Sequence, residues 1–128
     1  MTPRPTPPSP AHEAETAVRL RLRLMHDGQV AIGPGKVELL EAVQRTGSIT
    51  AAAKSLGMSY RRAWLLLDAL DACLRTPAVE TAQGGAHGGG TRLTEAGLEL
   101  VRLYRQIERT AVRTCADDIE RLKAMLAP

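Results

Sequence analysis

SITAAAKSLGMSYRRAWLLLDALDACL, residues 48–74, divides at Gly57 into two helical stretches. Ser48 is a suitable N-cap, because its hydroxyl can accept from a free N–H in the first turn of a helix. Ala51, Ala52 and Ala53 follow with high helix propensity and almost no bulk, so a second helix can cross closely. Gly57 tolerates the left-handed backbone that commonly ends a helix. Ser59 is placed to cap the next helix, whose first turn holds Tyr60, Arg61 and Arg62. At about 100° per residue, Ala63, Leu66, Leu67, Leu70 and Leu74 share one side. Arg61, Leu65, Asp68 and Ala72 fall on the other. A Gly-containing turn between two helices, the second opening with polar and basic side chains, is the pattern of a helix-turn-helix. The competing reading is an ordinary buried helix pair with two solvated arginines.

Composition is compatible with a small helical core. The 128 residues suit one domain; 44% are hydrophobic, with one Trp, two Tyr and no Phe, so Leu, Val and Ala must fill the interior. The net charge of +3 is only mildly basic, and a nucleic-acid face would have to come from local clustering. Cys73 and Cys115 have no metal-ligand spacing and read as buried free thiols of a reducing cytoplasm. No signal peptide or bilayer-spanning run is evident, so a cytoplasmic location is expected.

Toward the N-terminus, residues 1–15 read as a disordered Pro-rich tail and residues 16–128 as the folded domain. From Val18, apolar Val18, Leu20, Leu22 and Leu24 alternate with Arg19, Arg21 and Arg23, the pattern of a half-buried strand. Val30 and Ile32 continue the alternation after Asp27-Gly28. A two-residue loop would pair Leu24 with Ala31 and place Val30 and Ile32 among the arginines. A three-residue loop pairs Leu24 with Val30 and Leu22 with Ile32, so that hairpin is predicted. The arginines on the outer face are read first as charge that keeps an edge sheet soluble, and second as phosphate contacts. Lys36 to Arg45 is a short helix with Val37, Leu40 and Val43/Gln44 setting its face and Gly47 ending it.

Toward the C-terminus, Pro77 stops the second helix of the motif. Val79-Glu80-Thr81 and Thr91-Arg92-Leu93 flank the glycine-rich tip Gly84–Gly90, giving a two-stranded wing with His87 at its end. The glycines lack the Lys-Ser/Thr that a phosphate-binding loop requires. Thr94 caps a last helix running to about Ala127, with one apolar stripe that includes Ile107, Ala111, Cys115, Ile119 and Leu122. That helix, on the order of 45 Å long, outreaches a domain of this size, and a second copy is the simplest cover for its stripe.

The stretches Gly47–Trp64 (GSITAAAKSLGMSYRRAW) and Glu80–Ile107 (ETAQGGAHGGGTRLTEAGLELVRLYRQI) resemble the N-terminal DNA-binding domain of the ModE family of molybdate-responsive transcriptional regulators. More distantly, the chain is similar to the winged helix of LysR-type regulators. The likeness spans about residues 18–110. It implies recognition-helix contacts at Ser59, Tyr60, Arg61 and Arg62, with backbone contacts at Ser48, Thr50 and the wing, including His87 and Arg92. Trp64 matches a family tryptophan expected at the edge of the core. Full-length members carry a C-terminal oxyanion-binding module; the chain stops at Pro128, so molybdate or tungstate binding is not expected.

Together these readings give an α+β, mostly helical fold: a winged helix-turn-helix with an N-terminal β-hairpin and a long C-terminal helix. The expected function is a stand-alone ModE-type DNA-binding transcriptional regulator, with control of molybdate- or tungstate-related genes implied by the resemblance. Its partners are double-stranded DNA carrying an approximate inverted repeat and a second copy of the chain paired through Ile107, Ala111, Cys115, Ile119 and Leu122. No cofactor, metal, membrane contact or catalytic constellation is expected. Two other readings stay open: a winged-helix module working through protein contacts, and a one-domain oxyanion or metal sensor with its site at the dimer interface.

Overall fold

A computed structural model describes residues 15–81 and 90–128. The element order is β1 (Leu24–His26), β2 (Gln29–Ile32), α1 (Pro34–Thr46), α2 (Ile49–Ser55), α3 (Tyr60–Cys73), β3 (Val79–Thr81), β4 (Thr91–Leu93), α4 (Glu95–Thr114) and α5 (Ala116–Ala124). The α+β, mostly helical winged architecture is present. The first fourteen residues and the wing tip with His87 lie outside the described residues.

α1 is the hub, touching α2, α3, β4 and α4. Pro34 sits in its first turn, where no backbone N–H is required, and Gly47 ends it in the left-handed region at φ 80°, its N–H on the Val43 carbonyl. Because neighbours enclose it on several sides, its buried set is wider than the sequence suggests. Leu39 and Ala42 join Val37, Leu40 and Val43 inside, while Gln44 is exposed. Ile49, Ala52 and Ala53 of α2, then Ala63, Leu67 and Leu70 of α3, complete the core with Ala78 and Leu93. The small alanines of α2 are what allow α1 and α3 to close over it.

The N-terminal hairpin corrects the sequence reading twice. Its loop is the two-residue Asp27-Gly28 turn, with both residues at positive φ (50° and 77°), as a tight hairpin turn requires. The pairs are His26–Gln29, Met25–Val30 and Leu24–Ile32, with a bulge between Leu24 and Met25. The extra residue moves Leu24 from Ala31 to Ile32, so the apolar side chains meet without a three-residue loop. The alternation from Val18 to Arg23 does not form a strand. β2 ends at Ile32 because Gly33-Pro34 opens α1, leaving no ladder partner for the residues before Leu24. That segment lies instead on the C-terminal helices, and the Tyr104 hydroxyl donates to the Leu22 carbonyl (2.7 Å).

The last helix is interrupted. α4 ends at Thr114 and α5 begins at Ala116, with Cys115 between them at φ −97°, ψ 14°. Thr114 and Cys115 are weak helix formers, and Asp117 and Asp118 favour a fresh helix start through the terminal dipole. Both cysteines are free and exposed, not buried. Trp64 is likewise exposed rather than packed at the core edge. Among the described residues no helix is long and apolar enough to cross a membrane.

Candidate nucleic-acid interface

The caps read from the sequence hold the two helices of the motif. Ser48 Oγ accepts from Ala51 N (3.0 Å) and Ser59 Oγ from Arg62 N (3.1 Å). Gly57, at φ 69°, makes the turn between α2 and α3. With Ala63, Leu67 and Leu70 buried, the opening of α3 projects Tyr60, Arg61 and Arg62 into solvent. Ser59, Arg61, Arg62, Leu65 and Leu66 line a shallow cleft of about 340 Å³ at this edge. Neither arginine takes part in an ion pair among the described residues. Both guanidiniums can therefore present their full set of donors to a phosphate or a guanine edge.

The wing is fastened beside the start of α2. β3 and β4 pair antiparallel, Val79 with Leu93, Glu80 with Arg92 and Thr81 with Thr91. Thr91, buried, donates its backbone N–H to the Gly47 carbonyl (2.9 Å), which sets the returning wing strand beside the N-terminus of α2. A side chain at Gly90 would crowd that carbonyl at 3.0 Å. Arg92 is exposed, but its Nε donates to Glu80 Oε1 across the strands (2.7 Å), so part of its donor set is already engaged.

Of the residues expected at a DNA face, Ser48 and Thr50 lie at the start of α2, Ser59, Tyr60, Arg61 and Arg62 at the start of α3, and Arg92 on the returning wing strand; all but Ser48 are exposed. Thr50 is exposed just behind the Ser48 cap, and His87 lies outside the described residues. Three further residues adjoin these positions. Trp64 and Leu65 leave 47% and 48% of their surface open next to Tyr60 at 53%. Tyr60 and Trp64 stand one helical turn apart, a spacing that was legible in the sequence. Gly47 was read only as a helix stop, yet it also anchors the wing.

The residues expected to pair two copies fall into two groups. Ile107 borders an apolar groove with Leu24, Ile32, Leu103 and Tyr104. Ala111, Cys115, Ile119 and Leu122 border another, whose opposite wall is the chain's own Thr16–Leu20 segment. Ile107 and Leu122 remain 52% and 65% exposed, and no side chain of α5 is buried.

α4 is set against the motif at two points. Thr94 caps it (Oγ1 to Gly97 N, 3.1 Å) while its own hydroxyl donates to the Pro77 carbonyl (2.6 Å) and its N–H to the Ala78 carbonyl (2.9 Å). Further along, Arg105 donates to both carboxylate oxygens of Glu41 on α1 (3.0 and 2.5 Å) and to Glu108 (2.7 Å). The Glu41 hydrogen bonds raise the Arg105 pKa; burial opposes the shift and Glu108 adds to it.

A three-helix hub with a capped turn, a solvent-facing basic helix start and an attached two-stranded wing defines a winged helix-turn-helix domain. The model of bacterial regulatory helix-turn-helix proteins of the lysR family matches residues 35–98, half of the 128, and the chain belongs to that family. It is 40% identical over 95 residues to the molybdenum transport protein ModE of Azotobacter vinelandii, covering 73% of this chain and 35% of that protein. It is 47% identical over 77 residues to the molybdenum-pterin-binding protein MopB of Rhodobacter capsulatus, covering 60% and 28%. The transcriptional regulator ModE of Yersinia pestis is 37% identical over 120 residues, covering 90% of this chain and 43% of that protein. The chain thus spans less than half the length of each. Among solved structures, the DNA-binding domain of CbnR in complex with DNA superposes with a TM-score of 0.52 at 29% identity, covering 70% of this chain and 95% of that one.

Proposed function

We propose that this chain binds double-stranded DNA sequence-specifically as a transcriptional regulator of the ModE type, without catalytic activity, in the cytoplasm. The reading is carried by one observation: Tyr60, Arg61 and Arg62 open α3 behind the Ser59 cap, exposed to solvent, with neither arginine in an ion pair among the described residues. In this arrangement the start of α3 enters the major groove. Arg61 and Arg62 meet base edges or phosphates, Ser48 and Thr50 the backbone beside the α2 N-terminus, and Arg92 and His87 the backbone along the wing. The exposed rings of Tyr60 and Trp64 add apolar contact of the kind a thymine methyl accepts. The names of the relatives support targets connected with molybdenum.

Two copies pair through the open faces of α4 and α5, Ile107, Ala111, Cys115, Ile119 and Leu122 included, and the DNA site is accordingly an approximate inverted repeat. Leu103 on α4 and Met125 and Leu126 just past α5 add exposed apolar surface, which a second copy would remove from water. The test is selection of duplexes from a random pool, followed by mobility shifts at several salt concentrations. Arg61→Ala should weaken the selected site by about 1–3 kcal/mol if Arg61 reads a base, or lower the salt slope by about one if it holds a phosphate. Wild-type affinity and slope in both Arg61→Ala and Arg62→Ala would refute the assignment.

A further inference from the structure

The largest cavity described, about 510 Å³, lies away from the proposed DNA face, between the arm before β1 and the C-terminal half of α4. Pro34 and Glu38 close it at the start of α1, whereas the α2 cap and the wing anchor adjoin the other end of that 13-residue helix. The two ends are about 18 Å apart at 1.5 Å per residue. Arg19 and Arg21 enter it from the arm; Arg109 and Arg113, one turn apart, enter it from α4.

The charges do not cancel. Arg105, also in the wall, is engaged by Glu41 and Glu108. The other four arginines face a single further carboxylate, Glu38, and take part in no ion pair among the described residues. Arg109 donates one N–H to Gln106 (3.0 Å) and keeps the rest of its fork. All four arginines are solvent-exposed, so water and salt screen part of their mutual repulsion; an anion in the concavity would lower it further, and their planar forks match phosphate oxygens bidentately. The remaining wall is apolar, with Val18, Leu20 and Val112 contributing. A bare tetrahedral oxyanion would leave those side chains against water, while the volume falls within the range of small-molecule sites.

We infer that this cavity binds a small organic phosphate, the phosphate on Arg19, Arg21, Arg109 and Arg113 and an apolar body against Val18, Leu20 and Val112. Such a ligand bridges the arm to α4, the helix proposed to pair two copies. The inference does not depend on the DNA reading, because none of these residues belongs to the α3 edge.

The probe is phenyl phosphate, titrated into the full chain by calorimetry and followed by NMR at the Val112 methyls, with inorganic phosphate and molybdate as parallel arms. Saturable phenyl phosphate binding at least tenfold tighter than either inorganic anion is expected. Arg19→Gln combined with Arg113→Gln should weaken it tenfold or more, and Arg75→Gln, at an exposed arginine outside the cavity, should leave it unchanged. Equal binding of phenyl and inorganic phosphate would overturn the organic ligand. Tighter molybdate binding through the same arginines would replace it with an oxyanion site. Undiminished binding in the double variant would remove the cavity from consideration. If the double variant instead lowers the salt slope of DNA binding and phenyl phosphate does not bind, these arginines serve the DNA backbone and the inference fails.

Discussion

Gly97→Ala should destabilise this protein, although glycine-to-alanine within a helix ordinarily stabilises it by up to about 1 kcal/mol. Gly97 is buried in the first turn of α4. A Cβ there would fall well inside contact distance of the Ala78 carbonyl oxygen, and within 3.0 and 3.3 Å of the Ala78 carbonyl carbon and Cα. The obstruction is backbone, and it is held. Ala78 N donates to Asp71 Oδ1 (2.8 Å), and the Ala78 carbonyl accepts from Thr94 N (2.9 Å). Relief would move the α4 start outward and loosen the Thr94 bonds to Pro77 and Ala78. Overpacking costs about 1–3 kcal/mol, and a clash with hydrogen-bonded backbone belongs to the upper half of that range; with the propensity gain of about 1 kcal/mol set against it, a net loss of roughly 1–2 kcal/mol remains. The readout is thermal and urea unfolding of Gly97→Ala beside Ala96→Gly, which should lose only the ordinary propensity of about 1 kcal/mol. The melting temperature of Gly97→Ala should fall by about 4 °C or more. A rise in its stability would show that α4 is not held against Ala78, and the packing argument would be wrong.

Further outcomes follow from other contacts. Ser48→Ala removes the α2 cap and should cost about 0.5–2 kcal/mol in a urea melt, with Ser48→Gly losing much less. Tyr104→Phe loses the hydroxyl bond to Leu22 and should cost about 0.5–1.5 kcal/mol near neutral pH. Burial, then Glu108, raises the Tyr104 pKa above its ordinary value. Its contribution is therefore present below pH about 10 and lost as pH rises through the folded value, so the alkaline fall in stability should be shallower in Tyr104→Phe. Ile119→Glu should leave the melting curve of the winged domain in place while shifting sedimentation toward monomer; an unchanged sedimentation coefficient would exclude Ile119 from the pairing face.

The helix-turn-helix was legible because its signals are local: Ser48, Gly57 and Ser59 each act within one turn, and the Leu67–Leu70 stripe follows helical period. The hairpin was not, because alternation counts residues and a bulge adds one without altering the pattern. Alternation of the kind that runs from Val18 to Leu24 also marks any extended segment laid along a helix; here Val18 and Leu20 border grooves against α4 and α5 and stay more than a third exposed, with no neighbouring strand among the described residues. The break at Cys115 left the apolar stripe intact and so gave no periodic signal. Least legible was the arginine cavity. Arg19 and Arg21 read as edge-strand charge, Arg109 and Arg113 lie off the apolar stripe of the last helix, and only tertiary packing brings the four to the walls of one cavity.

The same packing explains how α4 can fix the placement of the proposed DNA face. Its first turn is pinned by Thr94 and Gly97 to Pro77 and Ala78, and Ala78 is pinned to Asp71 of α3. Its middle is pinned to α1 through Arg105 and Glu41, and α1 ends in the Gly47 turn that holds the wing. The Arg105–Glu41 pair is about a third exposed on each side, so desolvation and attraction largely offset and it contributes little net stability. Its bidentate geometry instead fixes the angle of α4 on α1. In a dimer joined through α4, that angle sets the separation of the two α3 edges, which must be about 34–36 Å to meet successive major grooves. Replacing Arg105 together with both its carboxylate partners, Glu41 and Glu108, by apolar residues of similar size should therefore leave the melting temperature nearly unchanged while altering the preferred spacing between half-sites.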